Sequence, residues 1–218
     1  MALVVALVLV GAAAIMFGTI DLVGIAGWRA LLGQGEATSV FVMRELRLPR
    51  VVLAALLGAG LGMSGAALQG VLRNPLAEPY LLGVSGGAAV GAVLAVSAGL
   101  AIALIPITAF VGGVGAVSIA LFVAHATRSR GDPRVLVMAG VVVGAFANAV
   151  IMVLMANADA SIVRSAVWWM MGSAANATWP QNAWLAAYLL VGGGALVAIA
   201  RTVDALALGE DSAAGLGV

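Results

Sequence analysis

From Pro79 to Thr127 the chain contains no Asp, Glu, Lys or Arg, and this uninterrupted run is the feature that most limits what it can fold into. A soluble domain covers its core with polar side chains and has no use for so long a stretch without charge. Helices that cross a bilayer do, because each needs about 20 predominantly apolar residues and satisfies its own backbone hydrogen bonds. The run accommodates two antiparallel spans with a turn near Gly99 to Pro106, and Pro106 is acceptable in the first turn of a helix. The same counting between charges places spans within Met1 to Ile20, at Val51 to Leu72, at Val135 to Ala158 and at about Ala183 to Ala200. At 64% hydrophobic and 9% charged residues, the composition lies far from that of a soluble domain. The expected fold class is all-α, a polytopic transmembrane helix bundle with about six spans.

The remaining segments are read by their charges. Asp21 to Arg50 carries Trp28, Arg29, Glu36, Arg44, Glu45, Arg47 and Arg50 and is expected to be a loop with room for a short surface helix. Arg128, Arg130, Asp132 and Arg134 surround Gly131 and Pro133 in a short charged loop. Trp168, Trp169, Asn176, Trp179, Pro180, Gln181 and Asn182 suit an interface, so a short surface or re-entrant helix is placed at about Ser165 to Ala175. A signal peptide is the alternative for Met1 to Ile20, but the stretch has no basic n-region. Orientation by charge is undecided with five arginines on each side, although the short Arg128 to Arg134 loop favours its own side as cytoplasmic.

Small residues recur every four positions, the spacing that lets helix backbones approach in lipid. Gly58, Gly62, Ala66 and Gly70 form such a row on the second span, and Gly83, Gly87, Gly91, Ala95 and Gly99 on the third. Gly112, Ala116, Ala120 and Ala124 continue it on the fourth, and Gly140, Gly144 and Asn148 on the fifth.

Absences exclude whole classes of chemistry. All ten basic residues are Arg, with no Lys, no Cys and one His. Without Lys there is no P-loop, so nucleotide-driven work requires a separate partner. Without Cys and with one His, disulfides, a thiolate nucleophile and the usual zinc or iron–sulfur sites are excluded, and no cofactor or metal is expected. No basic cluster is large enough to follow nucleic acid. Two motifs match patterns without their contexts. Gly60 to Gly65 satisfies GxGxxG but lies within a span with no strand before it, and is read as helix packing. Gly83 to Gly87 satisfies GxSxG, which raises an intramembrane serine hydrolase built on Ser85 and His125; the ordinary reading is a Ser at a helix start, meeting free backbone amides.

Four blocks in order carry a resemblance: Arg47-Leu48-Pro49-Arg50, Gly65-Ala66-Ala67-Leu68-Gln69-Gly70, Asn74-Pro75-Leu76-Ala77-Glu78-Pro79, and Leu82-Gly83-Val84-Ser85-Gly86-Gly87-Ala88. With them the chain resembles the FecCD family, permease subunits of ABC importers for iron siderophores, haem and cobalamin. Met138-Ala139-Gly140, Trp169-Met170-Met171-Gly172-Ser173 and Leu208 to Val218 are similar to further blocks of that family. The resemblance implies about ten spans in a whole member, so residues 1–218 are expected to be one incomplete permease domain, either a truncated copy or one completed elsewhere.

The resemblance also implies roles. It makes 201–218 a cytoplasmic coupling segment and 21–50 an extracytoplasmic loop, in the bacterial cytoplasmic membrane. Arg47 and Arg50 would dock an extracytoplasmic substrate-binding protein, or merely anchor the span in headgroups. Asn74 and Leu76 would lie near a cytoplasmic gate with Asp132 and Pro133, or form a plain turn. Leu208, Gly209, Glu210, Ala213, Leu216 and Gly217 would couple to an ATPase, or form a tail. Gly58, Gly62, Gly70, Gly87 and Gly91 are expected to pack helices on their four-residue spacing alone. The implied assembly is a permease homodimer or paralogous heterodimer in the lipid bilayer with two cytoplasmic ABC ATPase subunits, importing ferric siderophore, or cobalamin or haem. The subunit itself would perform no chemistry.

Overall fold

The structure is a computed structural model of the 218-residue chain and describes every residue except 19, 21, 23, 128–131, 210–214 and 216–218. Among the described residues all regular structure is helical. The α-helices are α1 (Ala2–Met16), α2 (Ile25–Leu31), α3 (Ala37–Phe41), α4 (Leu48–Leu72), α5 (Val84–Ser97), α6 (Ile105–Ala126), α7 (Pro133–Ala156), α8 (Ala160–Met171), α9 (Trp179–Ala198) and α10 (Ala200–Ala207). A π-helical segment, Val42–Arg47, joins α3 to α4, so the chain is continuously helical over the 36 residues Ala37–Leu72. That helix, Ile102–Ala126, α7 and α9 are long and apolar enough to cross a membrane, while α1 and α5 are shorter apolar helices.

The chain divides into two compact units, Met1–Gly62 with Ser173–Val197 and Met63–Gly172 with Ala198–Val218. In the first, Met43 is completely buried and packs with Leu22 and Ala30 against Ile15, Leu31, Val40 and Val42. Beside it the Arg47 guanidinium reaches back to the end of α1. Its Nη1 donates to the carbonyl oxygens of Ile15 (2.9 Å) and Met16 (2.8 Å), and its Nη2 to that of Ile20. The last carbonyls of a helix lack intrahelical donors and sit at the negative end of its dipole, so a cation there both completes the hydrogen bonding and is electrostatically favoured. Gly18 leaves room for this group, since a Cβ there would lie 2.6 Å from Nη2.

The start of α9 is held to the same region: Trp179 Nε1 donates to the Arg44 carbonyl (3.1 Å) and buried Asn182 donates through Nδ2 to the Pro49 carbonyl (2.9 Å). Farther along, Gly60 lies against the Leu189 side chain.

In the second unit α5 and α6 cross antiparallel at glycines. Gly87 faces the backbone of Gly112, and a Cβ on Gly91 would lie 2.8 Å from the Thr108 carbonyl carbon and overlap its oxygen. Ala92, Ala95, Ile105 and Ala109 fill the hairpin beside this crossing. Val93 packs with Ile151 of α7 and Ala166 of α8 on the other side of α5. The link from α4 to α5 ends in a 3₁₀ turn, Pro79–Leu82, and Gly83 at φ 75°. Left-handed backbone suits glycine, and here it also brings the chain so close to α7 that a Cβ would lie 2.9 Å from the Gly140 carbonyl oxygen.

The six apolar helices fall where the gaps between charges put them, and the turn between α5 and α6 holds Gly99 at φ 66° and Pro106 in the first turn of α6. Three expectations are corrected. Residues 21–50 are not mainly loop: α2, α3 and the π segment occupy much of them, because Met43, Ala30 and Leu22 form an apolar face that helices can bury together. The short helix expected there as a surface or re-entrant element is α8, beginning at Ala160 after an extended Asp159 and ending at Gly172 (φ 68°), so it lies earlier than Ser165 to Ala175. Gly58 and Gly62 do not pack helices within the described chain: a Cβ on either would meet no atom within 4 Å, and the close approach of α4 falls instead at Gly60 and Gly70.

Candidate functional site

Two breaks in helix meet at one end of the second unit. At the end of α4, the Arg73 amide donates to the Gly70 carbonyl and the Asn74 amide to that of Gln69, both at 3.2 Å, with Arg73 at φ 49°. This is a Schellman termination in which Arg stands where glycine is usual, at a conformational cost of about 1–2 kcal/mol. Asn74 then folds the chain back. Its Oδ1 accepts from the Leu76 amide (2.9 Å), and its carbonyl accepts from the Ala77 amide (3.0 Å). Gln69 Nε2 donates to the Ala77 carbonyl (3.4 Å), tying the turn to α4, and Ala77 is buried. Pro75 explains why helix cannot continue, since it lacks a donor and disfavours α conformation in the residue before it.

At the start of α7, Asp132 is the N-cap. Its Oδ1 accepts from the Arg134 amide at 2.9 Å, and Pro133 occupies the first helical position. The two breaks share a cleft of about 600 Å³ lined by Leu72, Arg73, Asn74, Asp132, Pro133, Arg134 and Val137. Asn74, Asp132 and Pro133 are therefore brought together across a long separation in sequence. Leu76 is not in the lining and is 82% exposed.

Along α7 from this cleft lie two further concavities. One of about 230 Å³ is lined by Tyr80, Leu81, Gly83, Gly86, Gly140, Gly144 and Asn148 among others. The other, about 680 Å³, shares Tyr80, Gly86 and Asn148 and adds Ser85, Met152, Trp169 and Met170. In the sequence Asn148 reads as one of a row of small residues, and Tyr80 has no role. The signal for Asn148 is an amide inside an otherwise apolar span, where polar side chains are expensive and mark pathways or partners.

The remaining residues fall as follows. Arg47 is only 8% exposed and its guanidinium is committed to the end of α1, so it does not stand on an open rim. Arg50 is exposed, with Nε donating to the Ala175 carbonyl at 2.9 Å. Gly70, Gly87 and Gly91 lie at close helix contacts, with Val203 Cγ1 of α10 3.2 Å from where a Cβ on Gly70 would be. Leu208 is exposed and Gly209 half-buried at φ 112°, while Glu210, Ala213, Leu216 and Gly217 lie outside the described residues.

The Ser85 and His125 pair fails on geometry. Val84 faces Gly113, and His125 lies twelve residues farther along α6, about 18 Å along its axis at ~1.5 Å per residue. Ser85 is not a helix cap either, because the N-cap of α5 is Gly83 and no side chain caps it.

Helices long and apolar enough to cross a membrane, two of them bounded by polar breaks around a common cleft, define a polytopic helical membrane protein. A model of the FecCD transport family matches residues 2–218, and the chain belongs to that family. It is 38% identical over 185 residues to a cobalamin import system permease protein of Halobacterium salinarum, covering 83% of this chain and 49% of that one. To an achromobactin transport system permease protein of Dickeya dadantii it is 35% identical over 193 residues, covering 87% and 55%. A solved structure, an inward-facing conformation of a metal-chelate type ABC transporter, superposes with a TM-score of 0.85 at 26% identity, covering 100% of this chain and 67% of that one. The chain spans about half the length of the curated relatives it matches.

Proposed function

We propose that the chain forms part of the membrane-spanning subunit of an ABC importer in the cytoplasmic membrane, carrying a ferric siderophore. The observation that carries this reading is the convergence of the Asn74 turn and the Asp132–Pro133 helix start on one cleft. Each is a polar break at the end of an apolar helix, and irregular backbone of this kind is tolerated at membrane depth where it borders a cavity or is buried in protein. Closing or opening that cleft would gate a path running past Asn148 and Tyr80. The subunit does no chemistry of its own. A dimer of permeases, same or paralogous, works with two cytoplasmic ATPases that bind the segment after α10, and Glu210, Ala213, Leu216 and Gly217 belong to that contact. An extracytoplasmic binding protein delivers the cargo, and Arg50 supplies an exposed guanidinium able to meet a carboxylate there. Arg47 acts from inside the subunit, by fixing α1.

A metal-chelate cargo agrees with the solved metal-chelate type transporter and with the achromobactin relative; the cobalamin relative defines the competing cargo. The test reconstitutes the full-length permease with its ATPase and binding protein in proteoliposomes. ATP-dependent entry of ⁵⁵Fe-loaded siderophore, without entry of ⁵⁷Co-cobalamin, is expected. Entry of cobalamin alone would overturn the cargo, and loss of neither docking nor uptake in Arg50→Glu would remove Arg50 from the docking surface.

A further inference from the structure

Arg73 is, among the described residues, the one non-glycine with a left-handed backbone. Termination of α4 does not require it, because glycine or asparagine takes that conformation with less strain. What Arg adds is a long side chain, and its surroundings indicate the use. Gly70, three residues earlier, lies under Val203 and Ala207 of α10, with a Cβ there 3.2 Å from Val203 Cγ1 and 3.8 Å from Ala207 Cβ. Nη1 of Arg73 lies 3.7 Å from where a Cβ on Gly209 would be, just beyond α10. The same Arg73 lines the cleft with Asn74, Asp132 and Pro133. On its other side the Asn74–Ala77 turn is bonded internally and back to Gln69, so it is tied to the end of α4.

We infer that Arg73 is a positioning residue that joins the end of α10 to the gate turn, so that a displacement of α10 is passed to Asn74–Ala77 as one body. The inference rests on the transporter reading, in which an ATPase moves the segment that follows α10. Small shifts at packed contacts are transmitted because close-packed elements do not deform continuously. Gly70 supplies the contact between helices, and Arg73 carries it past the end of α4.

Residues 1–218 contain no Cys, so a peptide from them that takes up label carries an introduced thiol, and mass spectrometry of digested protein follows it apart from every other thiol in the complex. Leu76→Cys reports on the turn and Thr202→Cys on α10, both positions being exposed. The full-length permease with its ATPase, in nanodiscs, is labelled with N-ethylmaleimide with and without ATP plus vanadate. In the parent, both labelling rates change with nucleotide. In Arg73→Gly, the response at Thr202→Cys is retained while that at Leu76→Cys falls about fivefold or more, the low end of ordinary coupling between sites. Arg73→Gly is at least as heat-stable as the parent, and Arg73→Asn, which also tolerates left-handed backbone, repeats the labelling result. An undiminished Leu76→Cys response in both variants overturns the inference, as does a parent that responds only at Thr202→Cys. A parent in which neither position responds overturns the transporter reading itself.

Discussion

Replacing Gly91 by Ala tests whether the α5–α6 crossing is set by backbone contact. A methyl at Gly91 would fall on the Thr108 carbonyl oxygen, 2.8 Å from its carbon and 3.2 Å from Ala109 Cα. These obstacles are main chain, so no rotamer change relieves them, and the helices must part by roughly 1 Å, a gap that forfeits about a quarter to a half of each dispersion contact. Overpacking of this kind costs about 1–3 kcal/mol, which for a chain of this size lowers the melting midpoint by about 2–12 °C. Two controls separate this from a general intolerance of alanine. Gly60→Ala meets the movable Leu189 Cδ2 at 2.7 Å, and Gly58→Ala meets no described atom within 4 Å. The first should cost less than about 1 kcal/mol and the second nothing. The assay is the apparent midpoint of tryptophan fluorescence in nanodiscs at one fixed scan rate, since unfolding from a bilayer is commonly irreversible. A midpoint for Gly91→Ala within about 1 °C of the parent, well below the expected fall, or an equal fall for Gly58→Ala, would refute the reasoning.

Arg47→Met removes three hydrogen bonds, two to the end of α1 and one to the Ile20 carbonyl beyond it; a loss of about 2–4 kcal/mol is expected, read as faster protease cleavage between α1 and α2. Arg47→Lys should recover only part, because an ammonium cannot span the carbonyls as a planar fork does. Asp132→Ala removes the cap of α7 at about 1 kcal/mol, whereas Asp132→Ser retains most of it, both measured as thermal midpoints. Asn182→Ala frees the Pro49 carbonyl but also eliminates a buried Oδ1 that has no partner. These effects oppose, so its midpoint should move by less than the shift equivalent to about 1 kcal/mol.

The membrane helices were legible because their signal is an absence: charge is excluded from the bilayer core, and the gaps between charges therefore rule off the spans. The ends of helices inside 21–50 were not, since the same charges that exclude a segment from lipid say nothing about whether it coils on the surface. Arg47 shows the limit most plainly. A charge beside a span reads as an outward group, yet here it is spent on carbonyls of a helix more than thirty residues earlier, a partner no local pattern names. Glycine periodicity tells which positions can approach a neighbour, but not which face of α4 has one: a Cβ at Gly70 would meet Val203, while one at Gly58 or Gly62 would meet no described atom. The meeting of Asn74 with Asp132 came from resemblance to known proteins; spacing alone leaves those residues in unrelated loops.

The π-helical segment has a consequence for how this chain tolerates length changes. A turn closed by i→i+5 bonds holds one residue more than an α turn, and removing that residue would let Ala37–Leu72 wind as ordinary α-helix throughout. Every position before the deletion would then rotate by ~100° and advance by ~1.5 Å relative to α4. Met43 could then not keep its apolar pocket while Arg47 still points at the end of α1, because a deletion between them takes the two out of register. Single-residue deletions between Val42 and Arg47 should thus be more damaging than most substitutions there, although each leaves a smoother helix.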